Sequence, residues 1–574
     1  MARPVVLGNG SMFVGLNEFG LVHDFYYPYV GLENLTTSRM PHHNIGVFID
    51  GDFSWVDSDG WQRSIDFRDS ALISNIIMQN DVLGVKLEFE DYTDTQYNAF
   101  LRSIKITNLS EQSREIRLFM HQVFQISRGG RADTALYEPE DHYILDYKGR
   151  CCLLTYGQFE DGQLFDQYSI GNFGIEGKEG TYRDAEDGEL TGNAIEHGGV
   201  DSVIRFSRTY EPGETNTVNY WVVAGDSQST VERIHKTILS DSPAIRLQMA
   251  EDYWKNWLQI GNKHISNIEP QHQAMIRKSL LIIKAHSDRR GGVIASGDSS
   301  IYNYGRDYYS YVWPRDGVYV FWPLIQLGYT EEPKRFFEFC RDILTRDGYL
   351  MHKYQPDRAI GSSWHPLMHG NHAELAIQED ETAVVLILLQ VFLEHNPQQE
   401  EFVRGIYSTL VDPAANFMEG FFDSSTDLPH ASYDLWEEKF LTSSYTVATT
   451  YRALLAASDI AARLERPDDA LRWQTAAERI EKSLSLLHDS ETNVLHKGFL
   501  VTSDEKVHTD AVLDISSLYG FDFFNVPAKD VIEATLSAVE EKLLNSAPIG
   551  GVPRYEGDNY FRSDPPYQGN PWFV

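Results

Sequence analysis

The chain has 574 residues, of which 42% are hydrophobic and 13% aromatic, and carries 49 Lys and Arg against 84 Asp and Glu, a net charge of −35. That length exceeds one ordinary domain, and the acidity disfavours phosphate backbones and anionic lipid, so nucleic acid and membrane surfaces are not expected partners. Cys151, Cys152 and Cys340 supply neither a disulfide framework nor a metal-ligand spacing, and "MARPVVLGNGSMFVGL" contains no signal-peptide or membrane-spanning run; no cofactor and a cytoplasmic location are the expectations.

The first part reads as strands. In "VKLEFE", Val85, Leu87 and Phe89 alternate with Lys86, Glu88 and Glu90. In "REIRLFMHQ", Ile116, Leu118 and Met120 point one way and Arg117, Phe119 and His121 the other. A period of two with one apolar face predicts half-buried antiparallel strands, and many short strands between turn-rich segments such as "NLSEQS" and "EPGETN" predict a sandwich over 1–228. "GNGSMFVG" is glycine-rich but lacks the strand–loop–helix context of a phosphate loop.

After "YWVVAGDS" the period becomes helical. Residues 229–265 are predicted to be a helical linker of one or two helices, and helices dominate from Pro270 to the end. "SSYTVATTYRALLAASDIAARLE", with Ser443 or Ser444 as N-cap, stops at Pro467 and is followed by "DDALRWQTAAERIEKSLSLLHDS". So short a link predicts an antiparallel helical hairpin. Further helices are predicted over "EEPKRFFEFCRDILTRDG", "ETAVVLILLQVFLEHN", "QEEFVRGIYSTLVDPAANFMEGFF" and "AKDVIEATLSAVEEKLLNS".

The connections carry the unusual residues: "YYSYVWPRDG", "HKYQPDRAIGSSWHP", "YDLWEEKF" and "GGVPRYEGDNYFRSDPPYQGNPW". Binding residues concentrate on loops held by a scaffold, so four loops rich in Trp, Tyr, Arg and carboxylates point to one shared pocket. In "YDLWEE", Trp436 precedes Glu437 and Glu438; an apolar wall is what a carboxyl kept protonated would need. Arg315 and Asp316 offer donors and acceptors in one short stretch, suited to vicinal hydroxyls, though the same pair could be a helix end. "QEDETA", with Asp380, could equally be a helix start. His352, His365, His369 and His372 fit no zinc spacing and read as loop or cleft residues. There is no G-x-S-x-G and no cysteine placed as a nucleophile.

Taken in order, "YVWPRDG", "GSSW", "QEDETA", "YDLWEE" and "RYEGDNY…GNPW" resemble glycoside hydrolase family 15, the glucoamylase family, in its two-domain prokaryotic form. The resemblance covers essentially the whole chain. It implies an N-terminal antiparallel β-sandwich followed by a C-terminal (α/α)6 barrel over 266–574, and inverting hydrolysis of α-glucosidic bonds from non-reducing ends of α-glucans or oligosaccharides. By the same resemblance Glu437 is the general acid, and Glu438 contacts the sugar on the leaving side. Arg315 and Asp316 clamp the terminal glucose, Trp313 and Tyr309 form its aromatic floor, and Trp364 stacks beyond it. Asp380 is an acidic position near the site, and Arg554 and Asp558 match a pair with Arg554 near the cleaved linkage; Asp380, Asp558 and Trp436 are all expected to contact the sugar, and by its apolar character Trp436 is also expected to shield the acid.

Inverting hydrolysis needs a second carboxylate roughly 6.5–9.5 Å from the acid, acting on water. In the family that base lies well beyond "GNPW", and about nine barrel helices are counted here where twelve are needed. The expectation is therefore an incomplete barrel, its last helices and base beyond residue 574, with Asn570 to Val574 opening a helix. A trehalase, an isomaltose- or dextran-cleaving glucosidase, an inverting disaccharide phosphorylase and an inactive glucan-binding protein are the alternatives.

Overall fold

The computed structural model describes all residues except 1–2, 37–42, 128–130, 302–306, 370, 503–505, 547, 563–568 and 573–574. The chain forms two compact units, Met1–Tyr311 with Gln355–Asp357, and Val312–Tyr354 with Arg358–Val574.

The first unit contains a three-stranded antiparallel sheet, Val5–Gly8, Phe13–Leu16 and Val22–Tyr26, and two further antiparallel sheets that form most of it. The larger has nine strands in the order Ile195–Gly198, Asp133–Glu138, Tyr143–Lys148, Cys151–Phe159, Thr215–Gly225, Ala99–Asn108, Val85–Thr93, Ser74–Asn80, Trp61–Phe67. The smaller has five, Gln167–Asn172, Val200–Tyr210, Arg114–Gln122, Ile45–Ile49 and Asp52–Trp55. Phe159 of the larger sheet meets Phe206 of the smaller edge-on at 6.1 Å, so apolar faces of the two are turned toward each other. Val85, Leu87 and Phe89 are buried between half-exposed neighbours, as their alternation predicts. Strand Arg114–Gln122 departs from the half-buried expectation: Phe119 and His121 are buried as well. Phe119 packs with Ala185, Leu190 and Val203, because the segment that includes the short helix Thr181–Asp187 covers its second face.

Three helices complete this unit. α1 (Gln228–Asp241) is capped by the Ser227 side chain and buries Val231, Ile234 and Ile238. α2 (Pro243–Ile265) follows after a break at Ser242, which has a left-handed φ of 68°. α3 (Pro270–His286) lies beside strand Val5–Gly8; a Cβ on Gly8 would come within 2.9 Å of the Ala285 carbonyl, so only glycine admits this approach.

The second unit is helical: α4 (Pro314–Gln326), α5 (Glu331–Ile343), α6 (Glu379–His395), α7 (Glu400–Ile406), α8 (Val411–Gly420), α9 (Ser444–Arg463), α10 (Pro467–Ser483), α11 (Ile515–Phe523) and α12 (Lys529–Lys542). α6 and α9 are buried over most of their length and pack against each other, which is why apolar and small residues fill most faces of both. α9 and α10 form the predicted hairpin, with Ser443 capping α9 through the Thr446 amide. The stretch expected to be one helix over 399–422 is instead α7 and α8, separated by a tight turn at Tyr407–Thr409, and Pro413 sits in the first turn of α8, where its missing N–H costs nothing. A Cβ on Gly317 would meet the Phe336 ring at 2.3 Å, so the glycine of "PRDG" lets α4 and α5 pack closely. Asn570–Trp572 is irregular rather than the opening of a helix, and Phe573 and Val574 lie outside the described residues.

Candidate active site

The "YDLWEE" stretch is the turn of a hairpin between strands Ser432–Tyr433 and Phe440–Ser443. Asp434 organises it. Its Oδ1 accepts from the Glu438 amide at 2.8 Å and the Lys439 amide at 3.0 Å, and its main-chain oxygen accepts from the Glu437 amide at 2.9 Å. This arrangement holds Glu437 at φ 63°, in the left-handed region, at a cost of about 1–3 kcal/mol for a side chain with a Cβ.

The strained backbone delivers the Glu437 carboxyl to two donors. Trp313 Nε1 is 3.0 Å from Oε1 and His352 Nε2 is 2.9 Å from the same oxygen. Trp313 Nε1 is also 3.3 Å from His352 Nε2, but the carboxylate is both nearer and charged, so it takes the indole hydrogen and leaves the imidazole to donate as well. Burial alone would raise the Glu437 pKa; the His352 hydrogen bond and charge, then Arg315 and Trp313, outweigh it and hold the carboxyl below the usual glutamate value. The apolar-wall expectation for Trp436 is thereby corrected. Its indole nitrogen donates to both Asp514 oxygens, at 2.9 and 3.1 Å, and Glu437 is flanked by hydrogen-bond donors instead.

Beside Glu437 the rings are ordered in a column. His352 stacks on His365 at 4.4 Å, and His365 on Tyr433 at 3.8 Å. Burial, then His352, push the His365 imidazole down to about 3, so it is a neutral spacer. Trp364 stands edge-on to His352 at 5.0 Å; the residue is 54% exposed and its Nε1 is 3.4 Å from the Glu437 main-chain oxygen. The Lys353 ammonium lies 4.9 Å from the Trp313 ring and 4.8 Å from that of Trp364.

Arg315 and Asp316 open α4. Arg315 does not pair with Asp316; its Nη1 is 2.6 Å from Asp380 and 3.1 Å from Glu381, both in the first turn of α6. Asp380 is fully buried, so the expectation that it contacts sugar gives way to a role holding the guanidinium from behind. Asp316 is half-buried, and burial, then the Glu437 charge, raise its pKa against the pull of Arg315. The two carboxyls are therefore driven in opposite directions.

On the other side of Glu437, Glu438 Oε1 is 2.8 Å from Arg554 Nη2, and the Tyr555 hydroxyl donates to Oε2 at 2.5 Å. Asp558 is buried and binds Arg554 through both oxygens, at 2.7 and 2.9 Å; it orients the arginine and is itself not presented to solvent. Arg554 also lies over the Trp436 ring at 5.4 Å. Tyr309 belongs to the first unit, where it is 42% exposed.

Several residues of this constellation went unrecognised in the sequence. Lys497 is buried 2.8 Å from Asp434 and 3.0 Å from Asp514, and so ties the Glu437 turn to the N-cap of α11. Glu381 and Tyr555 stand next to Asp380 and Arg554 in their motifs; His352, read from the sequence as a loop or cleft residue, is the imidazole that meets the Glu437 carboxyl. Among the described residues no group of three or more His, Cys, Asp or Glu is placed to hold a metal ion, and no helix is long and apolar enough to cross a membrane.

The chain thus has a sheet-rich N-terminal unit and a helical one in which carboxylates are set among indoles, and comparison with known proteins gives its family. The profile of the glycosyl hydrolases family 15 matches residues 269–574. An uncharacterized glycosyl hydrolase of Methanocaldococcus jannaschii is 24% identical over 99% of this chain and 85% of its own length. A trehalase of Thermoplasma volcanium is 23% identical over 56% of this chain and 50% of its own. Among solved structures, a bacterial glucoamylase complexed with acarbose superposes with a TM-score of 0.73 at 16% identity, covering 97% of this chain and 81% of that one. The chain belongs to glycosyl hydrolase family 15.

Proposed function

We propose that the protein is an exo-acting, inverting α-glucosidase of the glucoamylase type, releasing glucose from non-reducing ends of α-glucans or malto-oligosaccharides. In this reading 1–228 is a β-sandwich, 229–265 a helical linker, and 266–574 belongs to an (α/α)6 catalytic barrel. Glu437 protonates the leaving oxygen. Arg315 and Asp316 hold the terminal ring, with Trp313 and Trp364 as apolar faces, and Glu438 and Arg554 serve the leaving sugar. No described carboxylate is assigned as the base.

The observation that carries the reading is the Glu437 carboxyl itself. It is held in a strained turn between two N–H donors, and its side chain remains 19% exposed beside two indoles. Its lowered pKa suits an enzyme working in acid solution, and a bound sugar that expels water would strengthen the effect of burial and raise it. A trehalase is the second reading, supported by the Thermoplasma volcanium relative.

The test is turnover of maltose, isomaltose and trehalose, with and without inorganic phosphate, with the anomer of released glucose followed by NMR. β-Glucose from maltose without phosphate supports the proposal. Cleavage of trehalose alone favours the second reading, and a requirement for phosphate would make the protein a phosphorylase. Glu437→Gln should lower kcat by about 10²–10⁴-fold while ligand still binds; near-unchanged turnover would remove Glu437 from the mechanism.

A further inference from the structure

A carboxylic acid that must deliver a proton has two oxygens, and here the protein distinguishes them. Both donors in reach of Glu437, Trp313 Nε1 at 3.0 Å and His352 Nε2 at 2.9 Å, converge on Oε1. An oxygen that accepts two N–H hydrogens is the carbonyl-like one, so a proton on the group must sit on the other. The His352 side chain is only 2% exposed and is fixed on three sides. His365 stacks on it at 4.4 Å, the Trp364 ring meets it edge-on at 5.0 Å, and Ser363 Oγ lies 3.3 Å from its Nδ1. An acceptor or hydroxyl at Nδ1 is what sets which ring nitrogen carries hydrogen.

We propose that His352 is a positioning residue for Glu437: with Trp313 it saturates Oε1 and assigns the transferable proton to Oε2. The inference rests on Glu437 being the acid of the proposed reaction. The proton balance is simple. Oε2–H gives its proton to the leaving oxygen: the O–H bond to Glu437 breaks as the new one forms, the electron pair of the cleaved glycosidic C–O bond goes to that oxygen, water bonds to the carbon in its place and releases its proton to solvent, and the carboxylate left behind is stabilised by the two donors already on Oε1. The other charged groups facing Glu437 are Arg315 and Asp316 on α4, with Lys353 and neutral His365 behind His352; Glu438, on the same turn, is engaged by Arg554. None of these donates a hydrogen bond to Oε1, which makes His352 separable from them by substitution.

The experiment is a titration of the Glu437 carboxyl by 13C NMR in the full-length protein labelled at glutamate, its signal assigned by its loss in Glu437→Gln. His352→Leu should raise the midpoint by about half a unit to one unit, because the anion loses one donor. His352→Gln, whose amide can donate, should recover part of the shift. Ser363→Ala, at an exposed position outside the stack, should move the midpoint in the same direction by less and serves if His352→Leu does not fold. A midpoint that stays or falls in these variants overturns the proposal, including the case in which only the melting temperature drops. The titration reads this inference even if no glycoside is cleaved, in which case the hydrolase reading fails by itself. If turnover is present, His352→Leu should lower kcat more than it changes KM and carry the basic limb of the kcat/KM profile to higher pH.

Discussion

Replacing Lys497 by Met is the sharpest test of how the Glu437 turn is held. The Lys497 ammonium lies between two buried carboxylates, 2.8 Å from Asp434 Oδ2 and 3.0 Å from Asp514 Oδ2, off the directions of ideal hydrogen bonds, so the attraction is mainly that of charges. Burial lowers the Lys497 pKa, but Asp514 and then Asp434 raise it further, leaving it above an ordinary lysine. A lysine value raised on folding gives stability that is complete below the unfolded pKa of about 10.4 and is lost as pH rises through the folded value. Assays at pH 7 therefore see all of it. Methionine matches the length of the side chain but leaves two carboxylates buried without their cation. Removing one partner from such a pair costs about 3–5 kcal/mol. At about 2–4 °C per kcal/mol for a unit of this size, the melting temperature should fall by roughly 6–20 °C. Calorimetry measures it, and the same substitution in an Asp514→Asn background should cost less, because one carboxylate has already been neutralised. A loss under about 1 kcal/mol would show that the trio behaves as a solvated surface pair and would refute the reasoning.

Two further outcomes concern the residues proposed to face the sugar. Asp316→Asn and Arg315→Ala should lower kcat/KM severely; a helix-end pair would instead cost about 1 kcal/mol of stability with kinetics intact, and melting beside kinetics separates the two. For Arg315→Ala a drop in stability is expected as well, because Asp380 and Glu381 lose their cation. Glu438→Gln should mainly raise KM for longer substrates, since it weakens the contact with Arg554 without touching Glu437; a kcat loss equal to that of Glu437→Gln would show that the two glutamates do not divide the work.

What the sequence revealed depended on the range over which each signal acts. The alternation in Val85–Thr93, the change of period near residue 228 and the α9–α10 hairpin set by Pro467 are local, and each is present in the structure. α11 escaped because "ISSLYGFDF" has no polar face, and a buried helix loses the periodicity by which it is recognised. The position of Glu437 was legible from "WEE", but its environment was not. Trp436 is its chain neighbour yet turns to Asp514, 78 residues away, while the rings that meet Glu437 are Trp313, just before α4, and His352, brought in from the loop after α5. Adjacency in the chain says which residues share a turn. Which carboxyl receives donors, and so which way its pKa moves, is decided by segments that the sequence does not mark as neighbours.

The same point gives a last prediction, at the start of α6. "QEDETA" reads as an ordinary acidic first turn, where carboxylates favour the helix dipole from the surface. In the structure Glu379, Asp380 and Glu381 are all fully buried, and Arg315 pairs with the last two only. Both Glu379 oxygens lack a hydrogen-bond partner, and Thr450, though near, does not complete one. Burial, reinforced by the Asp380 charge, holds the Glu379 pKa well above the ordinary glutamate value. An acid whose pKa rises on folding contributes stability that is fully present below the unfolded value and is lost as pH climbs toward the folded one. Glu379→Gln removes the titration and keeps the shape. The stability of this variant relative to the wild type, read from paired melting curves, should therefore climb as pH rises above about 4.3, by up to about 1.4 kcal/mol per pH unit. A difference that stays constant across that range would mean that Glu379 titrates alike in the folded and unfolded chain, and hence that its carboxyl reaches solvent after all.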